Sequence, residues 1–148
     1  IEILSDGTPI RPSVHVRDLC SAFVVGVTAP AKTVAGKVFN VGFPKSNYTV
    51  RELAEKAQEA VPLSKLVFTG KSNSDERTYR VSFEKIIKEL KGIYMPEWDL
   101  ARGACELTKA FAEIEFSEED FRGTKCNRLK QIKKLLQANR LSTDLKWL

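Results

Sequence analysis

Short β-prone runs alternate with amphipathic helical patterns from Val14 to Leu90, and that alternation confines the chain to folds that layer helices against a sheet. The run Lys37-Val38-Phe39-Asn40-Val41-Gly42 is β-branched and closed by glycine, as a buried strand is, and Leu66-Val67-Phe68-Thr69 reads as a second strand. Between them, Thr49-Val50-Arg51-Glu52 has capping-box spacing: the threonine hydroxyl bonds a free backbone N–H while the glutamate reaches back to the cap. Helix is therefore expected from Val50, with Leu53, Ala54, Ala57 and Val61 on its apolar side and Pro62 as its stop. The expected class is α/β (mixed α+β), with few strands and several helices.

The flanking segments fit this frame. Gly7 to Val16 holds two prolines and then a short β-prone run, which reads as a loop leading into an edge strand. From Asp18, Leu19, Phe23 and Val27 recur at helical spacing with Cys20 and Val24 alongside, so a largely buried helix is expected up to Pro30. Gly70 to Asp75 is polar, without an apolar anchor, and reads as a flexible loop; Tyr79-Arg80-Val81 reads as a short extended piece. Phe83, Ile86, Ile87 and Leu90 mark another helix, ended by Gly92. Asp99 is a good N-cap for the pattern Leu100, Ala104, Leu107, Phe111. Beyond Glu113 the composition turns to charge, yet Leu129, Ile132, Leu135 and Leu136 keep helical spacing. The organisation expected is a first portion over 1–112 and a helical extension over 113–148, with Trp147 wrapping onto the core.

Several function classes are excluded or disfavoured on composition. No apolar run approaches the roughly 20 residues that span a bilayer. The start, Ile1-Glu2-Ile3-Leu4, has no basic stretch followed by a long apolar one, so it reads as a chain entered midway rather than as a secretory signal. Three widely spaced cysteines, Cys20, Cys105 and Cys126, and one histidine, His15, fit neither a disulfide framework nor a zinc site, and a reducing, cytoplasmic setting is expected. Cys20 and Cys105 fall in apolar helical patterns and are expected as small buried hydrophobes. The net charge of +5 arises from 24 basic and 19 acidic residues that are interleaved, so no uniform field results. Lys125, Arg128, Lys130, Lys133, Lys134 and Arg140 raise nucleic-acid binding as a reading, but no aromatic platform is interleaved with them, and a solvated helix face accounts for them.

Arg11 and Arg77 each follow a loop and precede a β-prone run, a position from which a side chain reaches into a cleft. A guanidinium presents a planar fork of donors that matches phosphate oxygens and stays charged at any cellular pH. Paired, the two arginines would clamp a diphosphate.

The segment Arg11-Pro12-Ser13-Val14-His15-Val16-Arg17-Asp18-Leu19 resembles the R-x-[FY]-[IV]-H-V-x-D-[LV] signature of the extended short-chain dehydrogenase/reductases, the NAD-dependent sugar-nucleotide epimerases and dehydratases. The order downstream is similar too: a helix, a strand like Val38 to Gly42, a helix opened like Tyr48 to Leu53, an arginine-bearing segment like Asp75 to Ser82, a helix ending like Lys88-Glu89-Leu90, and Pro96-Glu97-Trp98. The resemblance covers about Gly7 to Phe111 and implies the C-terminal, substrate-binding portion of a Rossmann-type enzyme. It implies that Arg11 and Arg77 contact the substrate diphosphate, that Asn40 lies near the nucleotide or bonds backbone at a sheet end, and that His15 is structural. The family has an aromatic where Ser13 stands here.

The same resemblance defines what is missing. The family binds NAD on a glycine-rich turn at a helix N-terminus, and no such motif occurs in this chain. Its general base is a tyrosine with a lysine four positions on, and none of Tyr48, Tyr79 or Tyr94 has one. The chain is thus expected to bind a nucleoside diphosphate sugar without a catalytic residue or cofactor site of its own, NAD being the cofactor of a complete enzyme. The alternative is a non-catalytic interaction protein. An edge left open along Val38 to Val41 is expected to drive self-association, as a dimer.

Overall fold

The computed structural model describes residues 1–70 and 78–148. The chain divides into two compact units, Ile1–Thr108 and Lys109–Leu148, the division falling inside a helix.

Among the described residues the first unit contains two two-stranded sheets. Strand β1 (Glu2–Ile3) pairs in parallel with β4 (Val67–Phe68), and β2 (Ile10–Pro12) pairs antiparallel with β3 (Asn47–Thr49), Arg11 lying opposite Tyr48. The helices are α1 (Val16–Thr28), α2 (Ala31–Val34), α3 (Val50–Ala60), α4 (Glu84–Glu89) and α5 (Leu100–Glu113). The mixed α/β class stands, with a smaller share of strand than the β-prone runs predict.

The capping box forms as the spacing predicts. Thr49 Oγ1 accepts from the Glu52 N–H at 3.1 Å, and Glu52 Oε2 accepts from the Thr49 N–H at 2.7 Å, so α3 starts at Val50. Asp99 caps α5 by accepting from the Arg102 N–H at 2.8 Å. The loop over 6–8 crosses α3 and β4 closely: Arg51 donates to the Asp6 carbonyl at 2.9 Å and its guanidinium lies 4.1 Å from the Phe68 ring centroid. Gly7 sits beneath, at φ +87°, where a Cβ would fall 2.8 Å from that ring.

The core gathers Val25 of α1, Ile86 of α4, Leu90 and Tyr94, with Ala22, Ala29, Phe39 and Val41 packed against it. Phe83 is buried as well, its ring so close to Gly42 that a Cβ there would sit 2.5 Å away. At its polar boundary lies Asp18, buried in the first turn of α1, which accepts from the N–H groups of Glu97 at 3.0 Å and Trp98 at 3.1 Å. One carboxylate thereby fastens α1 to the segment that leads into α5.

Four expectations are corrected. Val38 to Val41 joins no ladder: among the described residues no other strand runs alongside it, and its backbone is met by the Lys85 ammonium, which donates to the Val38 carbonyl at 2.8 Å. Its side chains still alternate as in a strand, Phe39 and Val41 inward and Val38 outward. Helix α1 is not largely buried. Val25 is its buried apolar residue, whereas Phe23, Val24 and Val27 are 70%, 61% and 87% exposed. Cys20 and Cys105 are exposed, each on the outer side of its helix, as is Cys126 in the turn before Asn127. The edge strand comes earlier than Val14 to Val16, at Ile10–Pro12, because His15 caps α1 and draws Val16 into the helix. The loop expected at Gly70 to Asp75 lies, beyond Gly70, outside the described residues.

The second unit holds the end of α5, then α6 (Glu118–Arg122) and α7 (Arg128–Gln137). Ser117 and Asp120 form a second capping box at α6, and Lys125 pairs with Asp120. The lysine and the cap hydrogen bonds hold that carboxyl at about 2, well below the usual range. Asn127 caps α7. The tail closes on itself through a bridge between Leu141 and Trp147, and Trp147 is 70% exposed rather than wrapped onto a core.

Replacing Asp18 by Ala leaves two part-buried N–H groups without their acceptor. It is expected to cost about 2–4 kcal/mol, read from urea unfolding. The Tyr94 hydroxyl is buried without a hydrogen-bond partner among the described residues, and burial, with the Asp18 charge second, pushes the phenol up to about 12. The unfolded phenol ionises near 10, so the unfolded state holds fewer protons between pH 10 and 12 and stability falls as pH rises through that window. Tyr94→Phe is expected to remove this decline and to leave stability at neutral pH unchanged or raised by about 1 kcal/mol, measured by denaturation across that range.

Candidate functional site

The segment 78–82 belongs to no strand, yet it is pinned to the first unit at four places. The Ile10 N–H donates to Thr78 Oγ1 at 3.0 Å. The Asn47 side chain clasps Val81 from both sides, accepting from its N–H at 2.8 Å and donating to its carbonyl at 2.8 Å, as a neighbouring strand would. Asn40 Nδ2 donates to the Ser82 carbonyl at 3.2 Å. The Arg11 guanidinium lies 6.0 Å from the Tyr79 ring centroid.

Arg11 is the central residue of β2, and its Nη1 donates to the Ile10 carbonyl at 2.9 Å. Tyr48, directly opposite in an antiparallel pair, shares its face of the sheet. Arg11 and Asn40 therefore both border segment 78–82, one at Tyr79 and the other at Ser82. Arg77 immediately precedes that segment in the sequence and lies outside the described residues. Asn47 and Thr78, which hold the segment in place, carry no signal in the hydrophobic pattern, since an asparagine substituting for a strand ladder looks like any turn residue.

His15 is an architectural residue. Its Nδ1 accepts from the Arg17 N–H at 3.3 Å, capping α1, while Nε2 meets Glu106 Oε2 of α5 at 2.8 Å. These bonds require the neutral ring to carry its proton on Nε2. The ring stacks on Trp98 with centroids 4.2 Å apart and planes 12° from parallel. Arg102 and Arg17 lie over the same indole at 4.0 and 5.1 Å, and Arg17 also pairs with Glu106 at 2.5 Å. Gly103 leaves room for the imidazole, a Cβ there falling 3.1 Å from its Cδ2.

Described residues of the first unit enclose two open cavities of note. One of about 460 Å3 lies between the β2–β3 end, α3 and α5, with Ser13, Tyr48 and Trp98 in its wall. Ser13 fills little of the space an aromatic there would take. The other, of about 480 Å3, is apolar and lies between α1, α2 and Phe39, floored by Ile86 and Leu90. Among the described residues no cluster of His, Cys, Asp and Glu could hold a metal ion, and no helix is long and apolar enough to cross a membrane.

The sequence pattern of the NAD dependent epimerase/dehydratase family matches residues 1–42, a stretch that includes Arg11, His15 and Asp18. The fold is similar to part of several solved structures. dTDP-glucose 4,6-dehydratase from Bacillus anthracis str. Ames, in complex with NAD, is 22% identical with a TM-score of 0.60 over 81% of this chain and 35% of that one. UDP-glucuronic acid 4-epimerase from Bacillus cereus, in complex with UDP-glucuronic acid and NAD, is 19% identical with a TM-score of 0.58 over 76% of this chain and 35% of that one. PbgP3 from Burkholderia pseudomallei is 24% identical with a TM-score of 0.55, over 75% of this chain and 34% of that one. The chain spans about a third of the length of each. The relationship to the NAD dependent epimerase/dehydratase family rests on the pattern over residues 1–42, and the likeness to these structures is one of fold.

Asn47→Ala removes both bonds of the clasp on Val81. A loss of about 1–3 kcal/mol in chemical denaturation is expected, with amide exchange accelerated first at Val81.

Proposed function

We propose that the first unit binds the nucleoside diphosphate end of a sugar nucleotide, and that the hydride chemistry of a complete epimerase or dehydratase requires further polypeptide. The observation that carries this reading is the position of Arg11. It stands at the centre of a paired strand, within the stretch matched by the family pattern, beside the segment that Arg77 leads into. A guanidinium on a hydrogen-bonded strand keeps its base fixed while its fork reorients, which suits bidentate capture of a phosphate. Arg77 is assigned to the same diphosphate, and Asn40, already bonded to Ser82, serves to steady segment 78–82.

The residues present do not fit NAD. The eight glycines nowhere take G-x-G-x-x-G spacing, and no tyrosine is followed by a lysine four positions later. Binding of NAD and proton abstraction are therefore assigned to residues other than those of this chain, and its own contribution is to hold the remote end of the substrate. Remote contacts of this kind lower a barrier by fixing the reacting carbon in position, an effect that reaches several kcal/mol.

Titration of the chain with UDP, dTDP, GDP and CDP, followed by heteronuclear NMR, tests the reading, with NAD and a short DNA duplex as controls. One nucleoside diphosphate is expected to shift resonances around Arg11 and Tyr79 with millimolar or weaker affinity. Arg11→Ala and Arg77→Ala are each expected to weaken that binding about tenfold or more while the spectrum stays folded. Absence of any shift in a folded sample would return the chain to the non-catalytic interaction reading, and a shift with DNA that fades steeply with salt would favour the nucleic-acid one.

A further inference from the structure

Two of the anchors on segment 78–82 come from the β2–β3 pair, and in its register they flank Arg11. The Ile10 N–H, one residue before Arg11, donates to Thr78 Oγ1 at 3.0 Å. Asn47 stands opposite Pro12, one residue after Arg11, and clasps Val81 with two bonds of 2.8 Å. Tyr79 lies between the two anchored residues, and its ring centroid is 6.0 Å from the Arg11 guanidinium. A carboxamide suits this clasp because it offers a donor and an acceptor in one plane, matching the C=O and N–H of a single extended residue, whereas a carboxylate only accepts. With both backbone groups engaged, Val81 neither turns nor slides without breaking two bonds.

We propose that Asn47 is a positioning residue of the phosphate site: through Val81 it keeps Tyr79 beside Arg11 and so limits the directions in which the guanidinium turns. This rests on the reading of Arg11 as a phosphate ligand given above. The paired strand fixes where the Arg11 side chain starts but not where its fork points. The fork meets the Ile10 carbonyl, which accepts from Nη1 at 2.9 Å, and the Tyr79 ring. Attraction between a guanidinium and an aromatic face acts within about 6 Å, so Tyr79 stands at the limit of that range and a small retreat of the segment ends the contact. Residues 78–80 are exposed, so packing holds them little and their placement falls to the anchors on either side. A guanidinium confined in advance loses less freedom when it meets a phosphate, and the clasp thereby contributes to affinity from outside the ligand's reach.

The test is a titration of the full chain with UDP, dTDP, GDP, CDP and inorganic pyrophosphate, followed at the Arg11 Nε–H resonance by heteronuclear NMR. Asn47→Ala is expected to move that resonance in the unliganded protein and to weaken binding about fivefold. Tyr79→Leu, at a side chain 53% exposed where folding is not at stake, is expected to do the same. The double variant is expected to bind no more weakly than either single one, since both act through one contact. Asp99→Ala removes the cap of α5, a bond that does not involve the segment, and destabilises the same unit; it is expected to leave both readouts unchanged. A folded wild type that binds none of these anions overturns the reading of Arg11 and this proposal with it. If the wild type binds them and Asn47→Ala binds as tightly, if the losses add in the double variant, or if Asp99→Ala weakens binding as much, the reading of Arg11 stands and the positioning role is overturned.

Discussion

The buried carboxylate of Asp18 is the interaction on which the first unit depends. It costs several kcal/mol to desolvate a carboxylate, and the structure offsets this with two backbone N–H groups from consecutive residues, Glu97 and Trp98. Because the donors belong to the segment before α5, the bond sets where that helix begins. Trp98, fixed by its own N–H, then presents its ring to His15, and His15 returns to α1 as its cap and to α5 through Glu106. Asp18 and His15 stand three residues apart at the start of α1, and together they hold a tryptophan some 80 residues further along the chain. The cost of the arrangement shows at Tyr94, whose hydroxyl lies within reach of the Asp18 field and has no hydrogen-bond partner among the described residues.

How much of this could be read from the sequence follows from the range of each interaction. Local chemistry was legible: the capping box at Thr49 and Glu52, the Asp99 cap and the stop at Pro62 all depend on neighbours within a few residues. Periodicity gave the helices but not their faces. Leu19, Phe23 and Val27 satisfy a helical spacing, as do Ala22, Val25 and Ala29, and the small set is the one turned to the core. Size misled, because a close approach of α1 to Ile86 and Leu90 admits alanine and valine more readily than phenylalanine. The run at Val38 to Val41 has the composition and alternation of a strand, but a ladder needs a partner, and partners are not encoded in the run itself.

At the candidate site the same division holds. Arg11 was identifiable because an arginine at the head of a recognisable pattern stands out; its place at the centre of β2, opposite Tyr48, follows from a pairing with β3 that no local signal announces. The side chains that prepare the site were silent. Asn47 and Thr78 are ordinary polar residues until the fold brings Asn47 against Val81 and Thr78 against Ile10.

That the segment after Arg77 is held by side chains rather than by a ladder has a consequence for recognition. A strand in a sheet is fixed by cooperative, evenly spaced bonds, and moving one residue moves the whole register. Segment 78–82 is instead fixed point by point, at Thr78, Val81 and Ser82, with each bond contributing on the order of 1 kcal/mol. Such a segment can yield locally without disturbing the strand beneath Arg11. In the proposed reading, the phosphate-facing side chain of Arg11 thus stands on a separately paired strand, beside a segment that can adjust without moving it.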